Sequence, residues 1–125
     1  MAIVVDVGET GVDLSFTGID AMWCLQQRLR LHFGDIAGAR VASWDEIRPG
    51  LGWRVAGAYW PGRIATGHYN VADRPGARQF LAVYRDRELL VIETRLERPC
   101  RVVVQHPDRV ALAERIEAGR AAFGA

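Results

Sequence analysis

Lysine is absent from these 125 residues; all sixteen basic side chains are arginine. Codon usage in a high-GC genome produces that replacement throughout, so it carries no functional message. It does remove the cation a phosphate loop requires. Charge of one sign is lacking too, with sixteen basic residues against fifteen acidic. A nucleic-acid binder needs a cationic excess to displace counterions, so nucleic acid is not an expected partner. No apolar run approaches the length of a bilayer span. The opening "MAIVVDVGETG" has no basic region and reaches Asp6 and Glu9 early, which is not the pattern of a signal peptide.

Cysteine is scarce: Cys24 and Cys100 lie far apart and at no metal-binding spacing. Cys24 sits in apolar "AMWCLQ", and both are expected as reduced thiols of a cytoplasmic protein. Sequence does not decide whether they ever pair. His32, His68 and His106 share no metal spacing, so neither metal nor cofactor is expected. Ser15 and Ser43 have no activating context, and Asp45-Glu46 and Asp86-Glu88 read as turn carboxylates. The chain therefore reads as non-enzymatic.

What is present is a single globular domain, residues 1–125. "AIVVDV", the turn "GETG" and "VDLSF" alternate with period two, as an antiparallel hairpin does. "TGIDAMWCLQQ" breaks the period and reads as one or two helical turns or an irregular crossing. "RLRLHF" is the cleanest strand, with Leu29, Leu31 and Phe33 inward and Arg28, Arg30 and His32 outward. Gly34-Asp35 turns it into the weaker strand "ARVASW".

Four strands fill the second half: "RIATGHYNV", "RQFLAVYR", "LLVIETRL" and "CRVVVQH". Their near-continuous apolar runs suit a sheet covered on both faces. Short turns predict antiparallel pairing of neighbours. "HPDRVALAERIEAGRAAF" then switches to a helical period, with Pro107 at the first position, Asp108 in the first turn and His106 beside the start. Leu112, Ile116 and Phe123 form its apolar stripe. Gly119 weakens the last turns by about 1 kcal/mol relative to alanine.

The order predicts an α+β, mainly β domain of about seven antiparallel strands and one C-terminal helix. The run from Arg63 through "FLAVYRDRELLVIET" to "RVVVQHPDRVALAERI", and more loosely "RLRLHFGDIAGARV" before it, resembles the small bacterial proteins with pleckstrin-homology-like domains, mostly uncharacterised. The resemblance implies a partly open antiparallel barrel plugged by the terminal helix. The competing fold is an α+β roll with the helix packed across an open sheet. Phosphoinositide binding is the function best known among such domains, and it would imply basic residues around the first hairpin. That hairpin carries Asp6, Glu9 and Asp13 instead, so headgroup binding is disfavoured.

The remaining stretch is "GLGWRVAGAYWPGRIATG", residues 50–67. Gly52 to Gly57 and Gly57 to Gly62 have phosphate-loop spacing, but Ala58-Tyr59 and Arg63-Ile64 follow them, not Lys-Ser or Lys-Thr. A dinucleotide fingerprint fails at Val55. Pro49-Gly50 and Pro61-Gly62 read as turns framing either a short strand near Trp53–Ala58 or a long loop. Trp44, Arg48, Trp53, Arg54, Tyr59, Trp60 and Arg63 are the residue types that anchor interfaces. They either cover one end of the core or form an interaction surface. The expected function is an interaction module for a protein or peptide, self-association into a homo-oligomer included, through these residues or a sheet edge near the helix. The alternatives are a small-molecule or catalytic pocket near His68, and weak peripheral membrane binding.

Overall fold

The structure, a computed structural model, describes residues 2–17, 28–60, 64–72, 74–84 and 88–124; the side chains of residues 2, 17, 53–60, 64 and 124 lie outside that description. The helical or irregular reading of "TGIDAMWCLQQ" falls on residues 18–27, outside it, as do Cys24 and Arg63.

β1 (Ala2–Val7), β2 (Gly11–Thr17) and β3 (Arg28–His32) form an antiparallel meander. Alternation does here what it predicts: Val5, Val12, Leu14, Phe16 and Leu31 are buried, while Arg28, Arg30 and His32 are exposed. A 3-10 turn at Phe33–Asp35 leads into β4 (Ile36–Ser43). A short helix α1 (Trp44–Ile47) follows, with Ser43 Oγ accepting from the Glu46 N–H at 3.3 Å. A second 3-10 turn, Arg48–Gly50, opens β5 (Leu51–Trp60). β6 (Ile64–Val71), β7 (Arg74–Val83), β8 (Glu88–Thr94), β9 (Arg101–Val104) and the helix α2 (Arg109–Gly124) complete the chain.

The six later strands make one sheet in the order β4-β8-β9-β7-β6-β5. Here the pairing departs from expectation. β7 and β8 are not neighbours, because β9 lies between them, parallel to β7 and antiparallel to β8. The reason is hydrophobic: Val102, Val103 and Val104 are all 0 % exposed, and a strand apolar on both faces needs cover on both. The β8–β9 turn also fixes β9 against β7, with the Arg78 N–H on Glu97 O at 2.9 Å and the Cys100 N–H on Arg78 O at 2.8 Å.

Two apolar layers result. Phe16, Phe33, Ile36, Phe80, Leu90, Ile92, Val102, Leu112 and Ile116 fill the space between the two sheets and α2. On the other face of the large sheet Ile47, Tyr69, Leu81, Leu89, Val91 and Val103 cluster, with Trp44 and Leu51 against them. The fold is α+β and mainly β, with nine strands in two sheets among the described residues. The expected architecture is a partly open barrel; among the described residues the strands form two sheets and no closed barrel, with β4 and β5 ending the large sheet unpaired with each other. α2 packs against β4, β8, β1, β2 and the turn at Phe33, so it touches both sheets.

α2 also protects one sheet edge. The Ala39 N–H of β4 donates to Glu117 Oε1 at 2.8 Å, and Arg120 donates to Glu117 Oε2 at 2.7 Å. These two bonds, the backbone one first, hold the Glu117 carboxyl below its usual range. The helix start is helped by His106, whose Nδ1 accepts from the Asp108 N–H at 3.0 Å, as its position suggested. Phe123 departs from the expected stripe: it is 54 % exposed, its ring 6.3 Å from that of Phe33.

Candidate functional site

The stretch from Gly50 to Trp60 is not a loop. Apart from the turn residue Gly50 it is β5, a ten-residue strand at the end of the large sheet, paired among the described residues with β6 alone. Its alternation is hard to read in sequence because the register slips twice, between Leu51 and Arg54 and between Arg54 and Ala56. A bulge sends successive side chains out of period two, which erases the strand signal. From Ala56 to Trp60 the pairing with β6 is regular, Ala56 opposite His68, Ala58 opposite Thr66 and Trp60 opposite Ile64. Gly57 meets Gly67, whose φ of 95° lies where side-chain-bearing residues are strained.

The seven candidate interface residues therefore divide. Trp53, Arg54, Tyr59 and Trp60 share β5, and their side chains lie outside the description. Trp44 starts α1 and packs, partly buried, on the second apolar layer, so it serves the core. Arg48 is exposed in the 3-10 turn before β5.

His68 is half-buried on β6, its ring edge-on to Phe80 at 5.1 Å. Burial, and then the Arg78 charge, push its pKa below the ordinary histidine value. A histidine depressed in the folded state binds its proton more readily unfolded, so stability falls as pH drops below the unfolded value of about 6.5. Urea unfolding between neutral pH and about pH 5 is expected to show a steeper acid loss for the wild type than for His68→Phe. Equal slopes would mean that His68 is not the group responsible.

An open groove of about 590 Å³ lies between the start of β5 and the β6–β7 turn, lined by Leu51, Gly52, Asn70, Val71, Ala72, Arg74, Pro75 and Gly76. His68 does not line it. Among the described residues no three His, Cys, Asp or Glu side chains gather as a metal site, and no helix is long and apolar enough to cross a membrane. Cys100 is a free, buried thiol, its pKa raised by burial.

Sequence reasoning passed over the group that seats β5. Gln79, 0 % exposed on β7, donates from Nε2 to Gly50 O at 2.9 Å and to Asn70 O at 3.2 Å. Its Oε1 accepts from Arg101 Nε at 2.9 Å and from Arg101 Nη2. Both donors and both lone pairs of the amide are used. The one signal available was an uncharged amide heading an apolar strand. Burial lowers the Arg101 pKa, and Glu93 across the β8–β9 pair opposes that shift.

The acidic first hairpin is also less bare than its own residues suggest. β3 sets Arg30 opposite Asp13, and Arg28 and Arg30 each reach Asp13 Oδ2 at 3.5 Å. Such exposed pairs contribute about 0–1 kcal/mol each, yet they offset the local negative charge. Compared with protein-family models, with curated proteins and with solved structures, the chain matches none.

Proposed function

We propose that this chain is a non-enzymatic interaction module of the cytoplasm that takes an extended segment of a protein along β5. In this reading the large sheet with its terminal helix is a pleckstrin-homology-like arrangement left open between β4 and β5. The supporting observation is the contrast between the two edges. Each edge carries one arginine, but along β4 the outer N–H of Ala39 is held by Glu117 and α2 packs against the strand. Both features discourage strand addition there. β5 has one charged residue in ten and no proline, and it ends the sheet without a second neighbour among the described residues. An added strand gains main-chain hydrogen bonds there, and Trp, Tyr and Arg are the side chains best suited to anchor it. The edge near the helix, the other route the sequence offers, is the one whose N–H Glu117 holds.

The test is selection of peptides from a displayed random library, with amide hydrogen exchange to map where they bind. Selected peptides should protect β5 amides and leave β4 unchanged. Trp53→Ala with Trp60→Ala should weaken binding by about thirtyfold, roughly 2 kcal/mol. Protection confined to β4, or affinity unchanged in the double variant, would overturn the assignment.

A further inference from the structure

We infer that the partner of β5 is a second copy of this chain, the two β5 strands pairing antiparallel about a two-fold axis at Ala58. The inference rests on reading β5 as the working edge, and it names what occupies that edge. Regular pairing with β6 runs from Ala56 to Trp60 and stops at the register slip before Ala56. That gives five residues, "AGAYW", whose outer backbone groups are evenly presented, with no charge and no proline. Their order is small, small, small, large, large.

An antiparallel pairing of this segment with itself sets Ala58 opposite Ala58, Gly57 opposite Tyr59, and Ala56 opposite Trp60. Each aromatic residue then faces a small one, and an aromatic opposite an edge glycine is a recognised stabilising cross-strand pair. Parallel, in-register pairing would instead set Trp60 against Trp60 and Tyr59 against Tyr59. Arg54 falls outside the paired segment, so the only charge of β5 does not meet its own image. A two-fold interface needs just such a self-complementary patch. The two large sheets would join edge to edge, and the exposed edge of each copy would be consumed, which is how edge strands escape open-ended aggregation.

Light scattering on the size-separated wild-type chain, with amide exchange over a dilution series, tests this without any substitution. The expected result is a dimer that dissociates on dilution, with protection of residues 56–60 lost in step and β4 amides indifferent to concentration. Ala58→Glu and Ala58→Arg each bring like charges directly opposite at the axis and are each expected to be monomeric. Mixed in equal amounts they should form a heterodimer, which also shows that both are folded. A wild type that is monomeric throughout, or a dimer whose protected amides lie elsewhere, overturns the inference. If the monomer still shows β5 protection by library-selected peptides, only the choice of partner fails. If it shows none, the reading of β5 as an interaction edge fails with it.

Discussion

Replacing Gln79 by leucine is expected to lower the stability of this protein by about 3–4 kcal/mol and its Tm by roughly 10–15 °C. The side chain is completely buried and saturated: two carbonyls, Gly50 and Asn70, take its protons, and the Arg101 fork takes its oxygen. Leucine matches the volume but takes the oxygen from the half-buried Arg101 guanidinium, a charged group whose lost partner costs about 1–3 kcal/mol, and removes one hydrogen bond each from the Gly50 and Asn70 carbonyls, at about 1 kcal/mol apiece. The damage should centre on the start of β5, because Gly50 and Leu51 are tied to β6 and β7 through this amide and through the Ala72 N–H on Gly50 O at 3.2 Å. Gln79→Glu separates the two halves of the clamp. A carboxylate keeps the Arg101 contact but has no proton for the carbonyls, so it should remain destabilised. Equilibrium denaturation measures both. Full stability in Gln79→Glu would mean that the carbonyl half contributes nothing.

Gly119→Ala is the second large effect, and its sign opposes helix propensity. Propensity alone predicts a gain of about 1 kcal/mol. At this position, however, a Cβ would lie 2.3 Å from Phe33 Cζ, 2.9 Å from Cε1 and 3.0 Å from Cε2. Phe33 is 2 % exposed, and its turn carries the chain from the small sheet into the large one, so the ring has no free direction of retreat. Overpacking of this kind costs about 1–3 kcal/mol. The net expectation is a loss of about 0–2 kcal/mol, after the propensity gain is subtracted. In a Phe33→Leu background the same substitution should turn neutral or stabilising, a coupling of more than about 0.5 kcal/mol in a double-mutant cycle. A Gly119→Ala variant more stable than the wild type would show that the ring yields freely.

How much of this was legible depends on which force writes the signal. Period two in "VDLSF" and "RLRLHF" and the helical period after Pro107 record one buried face against one wet face, a local consequence of amphipathic burial. Those elements appear where the pattern put them. β5 is only one of two readings its sequence allows, because its bulges break the period and its flanking Pro-Gly pairs mimic a loop. For the candidate site, the residue types were legible and their setting was not. Trp53, Arg54, Tyr59 and Trp60 could be picked out as interface-forming, but only the sheet order makes their strand an edge. Trp44, grouped with them by proximity in sequence, belongs to the core layer.

Composition and patterning by themselves determined the class: mainly β, one terminal helix, balanced charge, and no phosphate-loop chemistry. They also determined which strands are apolar on both faces. Three decisions belonged to the tertiary structure alone. β9 enters between β7 and β8, the two ends of the large sheet stay unpaired among the described residues, and Gly119 lies against a ring brought from residue 33. The physical reason is common to all three. Burial periodicity is a property of neighbouring residues, whereas sheet order, edge exposure and close approach depend on residues distant in sequence competing for the same covered space.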